Sequence, residues 1–94
     1  MFAYIAMVRH PPTDASSRDH RLLGAALRRL RVEAGLTQRQ LGERAQIGVP
    51  YLSQLENGHR GVGWHSVTRL LAGIGADLHQ LADAIAAEET RQRE

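Results

Sequence analysis

Residues 36–60 read LTQRQLGERAQIGVPYLSQLENGHR, a run in which amide, hydroxyl and guanidinium groups are interleaved with apolar residues at 41, 45, 47, 52 and 55. Such polar groups do no covalent chemistry unaided. They hydrogen-bond, and base edges and phosphates are partners that they fit well. Elsewhere the chain offers little for catalysis. It has no cysteine, which removes a disulfide framework, a thiolate zinc site and a cysteine nucleophile. Its five histidines, at 10, 20, 59, 65 and 79, are dispersed, and no pair has metal-ligand spacing with an acidic third ligand. There is no nucleophile–base pair, phosphate loop or paired-carboxylate site. These residues predict a binding module, not an enzyme, with no cofactor and no metal.

The polar groups need a scaffold to project them. Leu23, Leu27, Leu30 and Ala34 fall at i, i+4, i+7 and i+11, one stripe of a helix from residue 19 that Gly35 stops. Thr37-x-x-Gln40 is a capping box that opens a short second helix, with Leu41 and Ala45 inward and an end near Gln46. Gly48 caps a third helix, and Pro50 is tolerated in its first turn, where the N–H has no intrahelical partner. Leu52 and Leu55 are its buried positions, and Asn57-Gly58 stops it. After a loop at 59–63, Trp64, Val67, Leu70, Leu71 and Ile74 form a fourth stripe, all assigned to the core, and Gly75 closes it. Asp77-x-x-Gln80 caps a fifth helix whose apolar line is Leu78, Leu81 and Ile85. The polar end, AAEETRQRE, is expected to fray, with Asp83, Glu88 and Glu89 on a solvated face. The second and third helices are too short to be stable alone. Their inner faces must pack on the first and fourth, which leaves the outer faces free. The expected fold is all-α: a five-helix domain over 19–85, an N-terminal extension and linker over 1–18, and a polar C-terminal tail over 86–94. Within the extension, RHPPTDASSR at 9–18 marks the linker, and residues 2–8 read as a loose tail or a short strand.

Ninety-four residues that are 43% apolar can bury one modest core, so such a chain folds on well-packed helices or as an oligomer. The formal charge is only +2, but it is unevenly spread, and every basic residue is Arg. Residues 18–44 carry seven Arg against Asp19, Glu33 and Glu43, whereas residues 76–94 carry five acids against Arg91 and Arg93. A basic body with an acidic end suits a polyanion on one face; an ordinary mixed surface is the plainer alternative. The longest apolar run, Phe2 to Val8, is far short of the roughly 18 residues of a membrane helix. It also lacks the basic flank and cleavage site of a signal peptide. The expected location is the cytoplasm with no membrane partner, and Met7 offers an alternative start.

The run L-G-x-x-L-R-x-L-R-x-x-x-G-L-T-Q-x-x-L, from Leu23 through Leu41, resembles the opening of a phage-repressor or Cro-type helix-turn-helix domain. Tyr51-Leu52-Ser53-Gln54-Leu55-Glu56-Asn57-Gly58 resembles that family's third helix and exit turn, and the likeness continues without a gap over about residues 20–85. The resemblance implies contacts to double-stranded DNA, position by position. Gln38 and Arg39 stand at the start of the second helix, where Gln38 would meet a phosphate or a base edge. Val49, Pro50 and Gln54 hold the base-reading positions of the third helix, flanked by Tyr51 and Ser53. Asn57, His59 and Arg60 would meet the phosphate backbone. Tyr51 is equally readable as an edge of the core, and Gln38 and Gln54 as plain surface residues. Arg31 and Glu56 match a partly buried ion pair. The chemistry agrees, because Glu56 is the only acid between residues 44 and 76 and an Arg near an apolar stripe needs a planar acceptor.

The chain departs from the family pattern in four places. Gln46 stands where the turn usually has Gly, and in a left-handed backbone it costs about 1 kcal/mol. Gly48 replaces a Ser or Thr cap. Val49 and Pro50 replace polar readers and can touch only thymine methyls. Gly61-Val62-Gly63 replaces a stiffer Pro-Ser entry to the fourth helix. Direct readout then rests on Gln54, with Gln38 and Ser53, and weak or shape-assisted specificity is expected.

One small domain buries too little DNA surface for tight binding, so the leading expectation is a homodimeric transcriptional regulator, a repressor or autoregulator, whose two copies read half-sites one helical turn apart. Leu81, Ala84 and Ile85 are the candidate dimer seam, unless they complete the monomer core. The alternative is an antitoxin that neutralises a protein toxin and autoregulates its operon, the toxin docking on residues 1–18 or 86–94. A third possibility, kept open by the apolar Val49-Pro50 tip, is an adaptor that no longer binds DNA.

Overall fold

The computed structural model of the chain describes residues 14–94. Residues 2–8, expected to be a tail or strand, and the linker as far as residue 13 lie outside the described residues. Five helices follow in order: α1 (Asp14–Glu33), α2 (Gln38–Ala45), α3 (Val49–Glu56), α4 (Trp64–Ile74) and α5 (Leu78–Arg93). No strand occurs among the described residues.

The helix boundaries follow the capping chemistry. Thr37 Oγ1 accepts from the Gln40 N–H while the Gln40 side chain accepts from the Thr37 N–H, and Asp77 and Gln80 repeat the exchange at α5. Gly48 caps α3 without a side-chain bond, with Pro in its first turn. Two boundaries fall outside expectation. α1 begins at Asp14 rather than residue 19, since no proline after Pro12 stops the helix from extending back. α5 runs on to Arg93 instead of fraying after residue 85, because the expected solvated tail holds a buried carboxylate, Glu88, 4% exposed. Arg29 of α1 donates to its Oε2 from Nε at 3.0 Å and NH2 at 2.6 Å, and Arg91 NH2 donates to Oε1 at 2.9 Å. The Arg91 and Arg29 guanidinium groups hold the Glu88 carboxyl below the usual carboxylate range, against the opposing effect of burial.

The long helices α1 and α5 pack along each other, α3 and α4 pack on the rest of α1, and α2 packs on α3 and α4. The core joins Ala26, Leu27 and Leu30 of α1 to Leu41 and Ala45, Leu52 and Leu55, Val67, Leu70 and Leu71, and Leu81 and Ala84. Ala34 lies beyond the end of α1 and is exposed, so Leu22, not Ala34, extends the buried stripe. Two glycines allow close crossings. A Cβ on Gly24 would collide with the Leu55 carbonyl oxygen, so α3 lies directly on the α1 backbone. A Cβ on Gly42 would come within 2.6 Å of the Ile47 carbonyl oxygen, which would push the α2–α3 turn outward.

Trp64 departs most from expectation. Assigned to the core by periodicity, it is 64% exposed. It is the first residue of α4, and Gly63 before it has no heavy atom within contact distance of where a Cβ would be. The stripe is buried only from Val67 onward, where neighbouring helices cover it.

Candidate nucleic-acid interface

Two eight-residue helices, α2 and α3, build the candidate site. The turn between them hinges on Gln46, which sits in the left-handed region at φ 57°, ψ 47° and is the only non-glycine with positive φ among the described residues. Its N–H and that of Ile47 both donate to the Gly42 carbonyl. The carbonyls left over at this helix end are met from α4: Arg69 donates from Nε to Ala45 O at 2.9 Å and from NH2 to Gln46 O at 2.7 Å. Nothing in the sequence announces Arg69, since the contact spans 24 residues in one bond and 23 in the other.

α3 buries Leu52 and Leu55 completely while Val49, Pro50 and Gln54 stay exposed, so the helix projects one face into solvent. The predicted reading positions therefore share a surface. Ser53 and Tyr51 flank it and are half-buried, Tyr51 packing against the core. Asn57, His59 and Arg60 continue the surface beyond the helix end, and the His59 N–H donates to Gln54 O at 3.0 Å, folding the exit loop back on α3. The Arg60 guanidinium lies over the Tyr51 ring, 4.8 Å from its centroid, and its NH1 donates to Gln54 Oε1 at 3.3 Å.

At the start of α2, Arg39 is exposed and 3.5 Å from Glu43 one turn on, a pair of little energetic weight. Gln38 is less free than its position suggests. Its Nε2 donates to Glu56 Oε1 at 3.1 Å, so one amide hydrogen is turned inward and one remains for a ligand. Glu56 is the hub of this corner. It takes both prongs of Arg31, whose NH1 donates to Leu36 O, and it aligns Gln38 as well. The family resemblance implies the ion pair but not its third member, Gln38.

Leu81 and Ala84, offered above as a dimer seam, lie in the core of the chain itself, 6% and 4% exposed, and only Ile85 is partly accessible. The outward apolar surface is elsewhere. Trp64 and Leu78, the latter 52% exposed, line a shallow cleft of about 490 Å³ with Leu71, Ala72 and Ala76 between α4 and the start of α5.

A family model described as a helix-turn-helix domain matches residues 22–84. The chain belongs to this family. Among curated proteins, the helix-turn-helix domain is 47% identical over 58 residues to the propionyl-CoA carboxylase regulator of Cereibacter sphaeroides, covering 62% of this chain and 13% of that one. It is 37% identical over 59 residues to the HTH-type transcriptional regulator DdrOP3 of Deinococcus deserti, covering 63% of this chain and 46% of that one. The chain thus spans less than half the length of either curated relative. Among solved structures, the clp gene regulator ClgR of C. glutamicum superposes with a TM-score of 0.69 at 32% identity, over 73% of this chain and 90% of that one. The phage-repressor and Cro-type architecture suggested by Leu23–Leu41 is the one observed. No group of residues able to hold a metal, and no helix long and apolar enough to cross a membrane, occurs among the described residues.

Proposed function

We propose that the chain is a DNA-binding transcriptional regulator, a repressor or autoregulator, that acts as a homodimer with α3 in the major groove. The observation that carries this reading is the two-sidedness of α3: Leu52 and Leu55 are buried, while Val49, Pro50 and Gln54 stand clear beside Arg60. A short helix held from behind in this way fits a groove about 12 Å wide. Regulators among the relatives support the same reading. Gln38 and Arg39 at one end of the surface, and Asn57 and His59 at the other, serve as phosphate contacts, and the folded unit that presents them extends over both α1 and the whole of α5. The second copy covers Trp64 and Leu78, which takes over the seam role expected of Leu81 and Ala84. The toxin-neutralising alternative draws no support from the described residues.

The experiment is binding to duplex DNA across a range of salt. Affinity that falls steeply with salt, with a slope of several ions, is the expected result, because each neutralised phosphate releases counterions. A flat response rejects the docking mode.

A further inference from the structure

We infer that Arg60 reads a base jointly with Gln54, and that the base is guanine. This deepens the DNA-binding reading above and rests on it. Arg60 lies past the end of α3, where family resemblance implies a phosphate contact, yet its guanidinium is drawn back to the reading face. Two independent contacts hold it there: the Tyr51 ring, 4.8 Å below Cζ, and Gln54 Oε1, 3.3 Å from NH1. The ring is a fixed platform because Tyr51 is packed against the core, and the loop is pinned by the bond from His59 N–H to Gln54 O. Stacking on an aromatic face suits arginine in particular, whose planar fork then loses little freedom on binding.

The chemistry of the pair selects the base. Arginine has donors only, so the Gln54 atom that faces it must be the carbonyl oxygen. That leaves Gln54 Nε2, with its two hydrogens, as the outward end. Glutamine reads adenine by offering oxygen to N6–H and nitrogen to N7 together. Oε1 keeps a second lone pair, but with the Arg60 donors set beside it the N6–H of adenine would face donors as well as the acceptor, so this two-point fit is disfavoured. The pair presents Nε2–H of Gln54 beside the free N–H groups of Arg60, and the base that offers two adjacent major-groove acceptors, O6 and N7, is guanine. Val49 and Pro50 carry no side-chain donor, so this paired surface is the main hydrogen-bonding element of α3.

The test selects bound sequences from a random duplex pool with the wild-type chain, then measures affinity for the selected site and for random DNA across salt, for wild type, Arg60→Lys, Tyr51→Phe and Tyr51→Leu. The wild type is expected to select a guanine at one position of each half-site. Arg60→Lys keeps the charge but loses the fork and the stack, so it should weaken the selected site by about tenfold or more and relax that position. Random DNA and the salt slope should be unaffected. Tyr51→Phe keeps the ring and should retain the guanine preference, whereas Tyr51→Leu should relax it as Arg60→Lys does; if Tyr51→Leu does not fold by thermal unfolding, Arg60→Lys alone decides. Selection of adenine at that position overturns the inference. So does an Arg60→Lys variant that matches wild type on both duplexes, or one that weakens both equally. Failure of the wild type to bind any duplex in a salt-dependent way is a separate result, which removes the DNA-binding reading and this inference with it.

Discussion

Arg31 and Glu56 meet in the interior as a two-pronged pair, Nε to Oε2 at 2.7 Å and NH2 to Oε1 at 2.9 Å, and so tie the last turn of α1 to the end of α3. Both residues are buried, so neither charge has water to fall back on. Removing one partner, as in Glu56→Ala, should destabilise the fold by about 3–5 kcal/mol. Chemical denaturation measures this. The double variant Arg31→Met/Glu56→Leu should recover much of the loss, since it leaves no lone charge inside.

Glu88 makes a pH-dependent contribution. Its native carboxyl is held below the ordinary range by Arg91 and Arg29, so the unfolded chain takes up a proton at higher pH than the folded one. The stabilisation is complete above the ordinary range, near about pH 4–5, and is lost as pH falls through the lowered native value. Glu88→Gln should therefore melt below wild type at neutral pH, with the gap narrowing on acidification. A gap that does not change with pH would assign the effect to packing instead.

Gln46 carries backbone strain that its side chain does not repay, because its hydrogen bonds among the described residues run through its own N–H and carbonyl. Gln46→Gly should stabilise the fold by about 1 kcal/mol, read as a higher denaturation midpoint. DNA affinity should change little, since the turn geometry is retained.

Trp64 and Leu78 test the dimer. Trp64→Arg or Leu78→Arg should convert a dimer to monomers by light scattering and weaken DNA binding, while thermal unfolding stays near wild type because both side chains touch solvent already. An unchanged mass would place the seam elsewhere.

Much of the architecture is legible in residue patterns. Thr37 and Asp77, each with Gln three residues on, mark two helix starts because capping is local chemistry, and the Arg31–Glu56 pair follows from the family resemblance, with Glu56 the only acid between residues 44 and 76. What escapes is decided by neighbours that periodicity does not see. Trp64 keeps the helical spacing of its stripe, yet it stands at the open start of α4 and stays 64% exposed. Glu88 sits in a run of charges that reads as solvated, and only the packing of α1 on α5 brings Arg29 to it. Arg60 belongs by sequence to an exit loop, and the ring that captures it is nine positions back in an adjacent helix.

The Arg69 clasp has a consequence for how an operator would be laid out. α4 begins at Trp64 and, five residues later, grips the last carbonyls of α2 and the left-handed turn. In a dimer built on Trp64, one rigid rod would therefore set both the twofold axis and the orientation of the groove-entering helix. The centre-to-centre distance between half-sites would be encoded in α4, separately from the letters that α3 reads, and a variant of α4 would shift the phase of the operator without changing its words.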